Sequence, residues 1–139
     1  MRFLPLAVLL SACAAEPARD LPEPGHYAGD GRDRLCIAAM EPEVLRGGVI
    51  AFGRGDVNCS AAGAIEGAGT SLALVPKGES NSADDCRIPL FVEGATLRFG
   101  ELPAACAYYC GPGATLSGKR FRRTDAGSGV TDLAGDPLC

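Results

Sequence analysis

Seven cysteines, a lone histidine and one basic pentapeptide are the residues of this 139-residue chain whose types and spacing could do chemistry. Beyond Cys13, the residues Cys36, Cys59, Cys86, Cys106, Cys110 and Cys139 form an even set, which in an oxidising compartment reads as three disulfides. Spacing does not choose among their possible connectivities. The competing use is zinc, but Cys106-x-x-x-Cys110 has the wrong internal spacing for a zinc knuckle and no histidine accompanies it, so no metal or other cofactor is expected. His26 has no serine or cysteine nucleophile in a recognisable motif beside it. A Cys-His hydrolase needs a free thiolate, and even cysteine parity points to oxidised thiols, so no enzymatic activity is expected. Asp84 and Asp85 are adjacent acids inside a polar run and read as a solvated loop, because paired carboxylates need an enforced environment to split their pKa values.

The basic run Lys119-Arg120-Phe121-Arg122-Arg123 stands out in a chain of net charge −4. On a strand, Arg120 and Arg122 fall on the face opposite Phe121, a short positive stripe able to meet phosphate or carboxylate groups of lipid or cell wall. The plainer reading is a solvated edge strand whose charges discourage aggregation. Tyr108 and Tyr109 could form a binding platform, although such residues more often complete a small core. Arg54-Gly55-Asp56 spells an adhesion tripeptide that a β-turn explains equally well, and Asn58-Cys59-Ser60 is a glycosylation sequon only in form.

The elements that must position these groups begin after a leader. Met1-Arg2 precedes the apolar run Phe3-Leu4-Pro5-Leu6-Ala7-Val8-Leu9-Leu10, too short to span a bilayer, which needs roughly 20 apolar residues. Charge, apolar stretch and small residues in that order are the layout of a secretory signal peptide. The cleavage region Leu10-Ser11-Ala12-Cys13 resembles the lipobox of bacterial lipoproteins. That resemblance implies that residues 1–12 are removed and that the Cys13 thiol accepts diacylglycerol. The absence of aspartate after Cys13 then implies an outer-membrane address in a Gram-negative bacterium, facing the periplasm. Two or more acyl chains anchor a protein stably where one does so only marginally, so the membrane is a partner through the lipid alone. The acidic balance argues against a nucleic-acid partner.

Residues 13–25 are polar and proline-rich and read as a semi-extended tether, leaving 26–139 as a single domain. With 19 Gly, 10 Pro and no Trp, that domain is rich in turn formers and poor in large aromatics. Apolar runs recur between Gly, Asp and Asn clusters, giving candidate strands at 34–40, 48–53, 61–66, 71–76, 87–92, 96–99 and 119–123. Glycines at 67, 69 and 94 suit hairpin turns, so neighbouring strands should be antiparallel. The run 48–52 is apolar on both faces and reads as a central strand. Pro103 and Gly111-Pro112-Gly113 bracket a short helix near 103–110 that would set Cys106 and Cys110 on one face at i,i+4. Two cysteines so placed are poorly aimed at each other, so each should pair elsewhere, with Cys139 tying down the tail. The expected fold is all-β, a small antiparallel barrel or sandwich with one short helix, stapled by disulfides.

The C-terminal half, with Cys106-Ala107-Tyr108-Tyr109-Cys110-Gly111-Pro112-Gly113 and the ending Gly135-Asp136-Pro137-Leu138-Cys139, resembles small cysteine-rich bacterial lipoproteins of unassigned function. Residues 60–79, including Leu72-Ala73-Leu74-Val75-Pro76-Lys77-Gly78-Glu79, are similar to the strand pair of membrane-bound C-type lysozyme inhibitors. That family forms a small antiparallel barrel and offers a serine and a lysine to the catalytic carboxylates of lysozyme. The lysine corresponds to Lys77, whereas the serine position holds Ala62, with Ser60 as the nearest substitute. The expected function is a lipid-anchored, non-enzymatic module that binds a wall component, lipid or protein partner of the cell envelope, with Arg120 and Arg122 as candidate binding residues. Inhibition of C-type lysozyme and a purely structural envelope role are the alternatives.

Overall fold

Strict alternation of apolar and polar side chains lets a sheet bury one face, and a sheet that closes on itself buries it against its own opposite wall. The computed structural model describes residues 21–76, 85–125 and 129–139 and shows this solution. Strands β1 (Gly25–Ala28), β2 (Arg34–Glu41), β3 (Val44–Phe52), β4 (Asn58–Glu66), β5 (Ala73–Pro76), β6 (Ile88–Glu93), β7 (Thr96–Phe99) and β8 (Arg120–Thr124) follow one another in order around a closed barrel. Every pairing is antiparallel, and β1 closes the ring on β8 through the pairs His26↔Thr124, Tyr27↔Arg123 and Ala28↔Arg122. The barrel among the two expected architectures is therefore the one adopted. Gly67 and Gly94 turn the β4–β5 and β6–β7 hairpins with φ of 85° and 64°, a region that costs a side-chain-bearing residue.

The interior is packed with side chains. Leu35, Val49, Leu74, Ile88, Leu90, Leu97, Phe99 and Phe121 are all essentially inaccessible, and the Phe99 and Phe121 rings meet edge to face with centroids 5.8 Å apart. The segment leading into β1 belongs to this core as well. Pro22 is fully buried, Leu21 packs against the interior cluster, and the Tyr27 hydroxyl donates to the Glu23 carbonyl at 2.6 Å. The barrel thus starts before residue 26, inside the stretch read as a tether.

The long β7–β8 connection caps one end of the barrel, where Cys106 and Leu116 are fully buried. Its helical part is a 3₁₀ segment, Ala104–Tyr109, in place of the α-helix expected near 103–110. Pro103 enters it extended, at φ −63° and ψ 151°, and Cys110 leaves it extended, at φ −122° and ψ 135°. A segment six residues long, hemmed by Pro103 and Gly111-Pro112, holds too few i→i+4 bonds to favour the α form. Cys106 and Cys110 consequently do not share a helical face. Cys106 joins Cys86 just before β6, Cys110 joins Cys59 on β4, and the third bridge links Cys36 to Cys139. Each cysteine of the segment has a separate partner, and the C-terminal residue is tied to β2.

Two readings of individual strands change. The run 48–52 is not a central strand, because a closed barrel has neither centre nor edge. It is apolar on both faces because Val49 and Ala51 point inward while Ile50 lies under the C-terminal segment, packed with Cys36, Val130 and Leu138. Likewise β8 is no edge strand, since it pairs with both β7 and β1.

Candidate cationic face and the cleft beside it

Closure decides which cations meet. On β8, Phe121 is buried inside while Arg120 and Arg122 are exposed outside, and the register runs Thr96↔Arg122, Arg122↔Ala28, Ala28↔Arg34 and Arg34↔Ile50 in one row. Arg122 and Arg34 therefore flank Ala28 on the outer surface, about 10 Å apart at two strand spacings, with only a methyl group between them.

The run 119–123 is largely neutralised by ion pairs. Lys119 Nζ lies 3.2 Å from Asp33 Oδ2. Asp33 is 3% exposed, and its other oxygen accepts the Phe52 N–H at 2.8 Å, so the buried carboxylate is satisfied on both sides and joins the β1–β2 loop to β3 and to the residue just before β8. Arg120 pairs with Glu93 at 3.3 Å and Arg123 with Glu23. Glu93 also accepts from Arg98, and this hydrogen bond first, then the charges of Arg98 and Arg120, hold its carboxyl below the usual range. Arg122 makes no ion pair with any described residue. Arg34 spends both Nη1 hydrogens on the Gly31 and Asp33 carbonyls, at 3.0 and 2.7 Å, which leaves its Nε–Nη2 edge, the one suited to bidentate contact with an oxyanion.

Beside this row runs a cleft of about 560 Å³ between the outer face of β1–β3 and the C-terminal segment. His26, Arg34, Ile50 and Phe52 line its barrel side and Val130 and Leu133 the other. The Nδ1 atom of His26 is buried without a hydrogen-bond partner among the described residues. Arg32 stands at the rim, its guanidinium 3.9 Å over the Phe52 ring and committed to Asp56 and the Gly55 carbonyl. The wall is a small hairpin: Thr131 bridges Pro137, Leu138 N–H donates to the Val130 carbonyl at 2.9 Å, and Asp132 accepts the Asp136 N–H. It lies against the barrel because Gly48 has no side chain. A Cβ there would come within 2.4 Å of the Leu138 carbonyl oxygen.

The other sequence-derived sites are dispersed. Ser60 sits on the outer face of β4, half-buried, and donates to Asn58 Oδ1 at 2.8 Å, well away from the β8 arginines in the strand order. Lys77, Asp84 and Cys13 lie outside the described residues, as does the leader. Asp85 is exposed. Arg54-Gly55-Asp56 occupies the β3–β4 turn, with Gly55 at φ 62°. Tyr108 is exposed and stacks edge-on against Tyr109 at 5.2 Å. The residues that sequence reasoning missed are Arg34 and the hairpin wall. Alternation marks Arg34 as outward-facing, but nothing local brings it beside Arg122, which lies on the last strand of the ring.

No protein-family model matches this chain, and no curated protein or solved structure matches it either.

Proposed function

We propose that the protein is a non-enzymatic binding module of the bacterial cell envelope, held at the membrane through a lipidated Cys13 and meeting an anionic wall or lipid component with the outer face of β8. The observation that carries this reading is the Arg122–Ala28–Arg34 row. Two exposed arginines share one outward row, two strand spacings apart, without a carboxylate between them on a chain that is acidic overall. The oxidised state of all six cysteines of the domain suits an exported protein. The test uses the chain from residue 13 with Cys13→Ser, exported behind an ordinary secretory leader. Its co-sedimentation with isolated cell walls, and with phosphatidylglycerol against phosphatidylcholine vesicles, is compared with that of the Arg122→Ala and Arg120→Ala variants. Binding that falls with added salt and falls further for Arg122→Ala than for the Glu93-paired Arg120→Ala supports the reading. Binding indifferent to both substitutions overturns it.

A second reading, inhibition of C-type lysozyme, is favoured by the antiparallel β4–β5 pair, Gly63↔Pro76 to Glu66↔Ala73, which sits in a small barrel as the resemblance of residues 60–79 implies. Inhibition by the same protein that disappears in Lys77→Ala would establish that reading, and no inhibition at micromolar protein would remove it.

A further inference from the structure

We infer that the cleft between β1–β3 and the C-terminal hairpin is a site for a small carboxylate-bearing ligand with a compact aliphatic body. The inference rests on the reading of the protein as a binding module, though not on Arg120 or Arg122. Three features point the same way. The cleft, at about 560 Å³, is of the size that holds small ligands. Its base is apolar, with Ile50 and the Phe52 ring on the barrel side and Leu133, 56% exposed, at its mouth. Its lining is mixed, and Arg34 is the basic residue in it that makes no ion pair with a described residue. The Nε–Nη2 edge of Arg34 offers two parallel donors, the geometry that matches the two oxygens of a carboxylate.

The charges around the site are consistent with a single negative ligand group. Asp132 is the carboxylate among the lining residues, and it is turned into its own hairpin, where Oδ1 accepts the Asp136 N–H at 2.9 Å. Arg32 is neutralised by Asp56 at 3.0 Å. Arg34 is thus the cation left to face a ligand, with Arg122 two row positions away across Ala28. The wall is held by the Cys36–Cys139 bridge, by the Leu138 and Val130 side chains against Ile50, and by the close approach over Gly48. The hairpin therefore has a role beyond protecting a chain end, because without it the outer face of β1–β3 has no cleft.

The probe pair is N-acetylalanylalanine and its C-terminal amide, which differ in the carboxylate alone. Titration calorimetry is run on the Cys13→Ser protein, with thermal unfolding of every variant as a check on folding. Saturable binding of the acid at millimolar concentration, absent for the amide, is expected. Arg34→Gln should weaken it about tenfold or more, and Arg34→Lys nearly as much, because lysine keeps the charge and loses the two-donor edge. Cys139→Ser should weaken it while the barrel stays folded on its other two bridges. Equal binding of acid and amide, no binding of either, or binding unchanged in Arg34→Gln overturns the inference. Cell-wall or vesicle binding that persists while neither dipeptide binds removes the cleft and leaves the broader reading intact. Arg34-dependent dipeptide binding without any dependence of wall or vesicle binding on Arg120 and Arg122 does the reverse.

Discussion

The barrel interior and the C-terminal hairpin are both apolar contacts sealed by disulfides, yet they are built on different scales. Inside, side chains from all eight strands interlock around Phe99 and Phe121, and the Cys59–Cys110 and Cys86–Cys106 bridges fasten the cap over one end. Outside, Cys36, Ile50, Val130 and Leu138, with Phe52 and Ala62 at the margin, make the apolar cluster under the hairpin among the described residues. The interior is a cooperative unit in which each residue leans on many others. The hairpin is a small lid whose few contacts set a low free energy of local opening. Binding surfaces are drawn from such regions, and the cleft lies between the two.

The sharpest way to break this comparison is to empty the interior. Phe121→Ala should cost about 3–5 kcal/mol in denaturant unfolding, because the ring is fully buried against Phe99 and the closed wall cannot collapse into the space. It should lower protection from hydrogen exchange in every strand. Replacing Cys36 and Cys139 together by serine should cost about 2–4 kcal/mol by freeing the unfolded chain, with the native-state change confined to residues 129–139. Uniform loss of exchange protection in that variant would show that lid and barrel are one unit after all. Gly48→Ala should cost about 1–3 kcal/mol, since its Cβ would strike the Leu138 carbonyl, and should raise exchange at the Leu138 amide while leaving Val49 and its neighbours protected. The smallest effect should come from Tyr27→Phe, at about 1 kcal/mol for the hydroxyl that donates to the Glu23 carbonyl. Burial, partly opposed by the charge of Arg123, raises the Tyr27 pKa above 10.0. The unfolded chain then releases this proton first. The contribution is present below pH 10.0 and lost as the pH rises from there through the folded value. Alkaline unfolding curves of Tyr27→Phe should lack that component.

Much of the barrel is legible from local pattern. Thr96–Phe99 is read to the residue because Leu97 and Phe99 alternate cleanly with Thr96 and Arg98 between a glycine turn and Gly100. The basic stripe is legible for the same reason, as Phe121 fixes which side of β8 faces in. β1 escapes notice because Gly25–Ala28 is four residues long and carries one inward side chain, Tyr27, too short a run for a period to appear. Arg34 escapes as a candidate residue because Arg122, across Ala28 from it, is contributed by the last strand of the chain.

Period-two alternation, glycines at positive φ and an even cysteine count are local or additive properties, and with them the sequence by itself determined antiparallel strands, hairpin turns and an oxidised domain. Which strand closes the ring, which cysteines pair and what covers Ile50 depend on contacts between residues as far apart as Cys36 and Cys139, 103 positions in sequence. Those contacts form when the barrel buries its interior and the tail finds the gap over Gly48. The tertiary structure alone therefore decided that Arg34 and Arg122 stand in one row and that a cleft opens beside them.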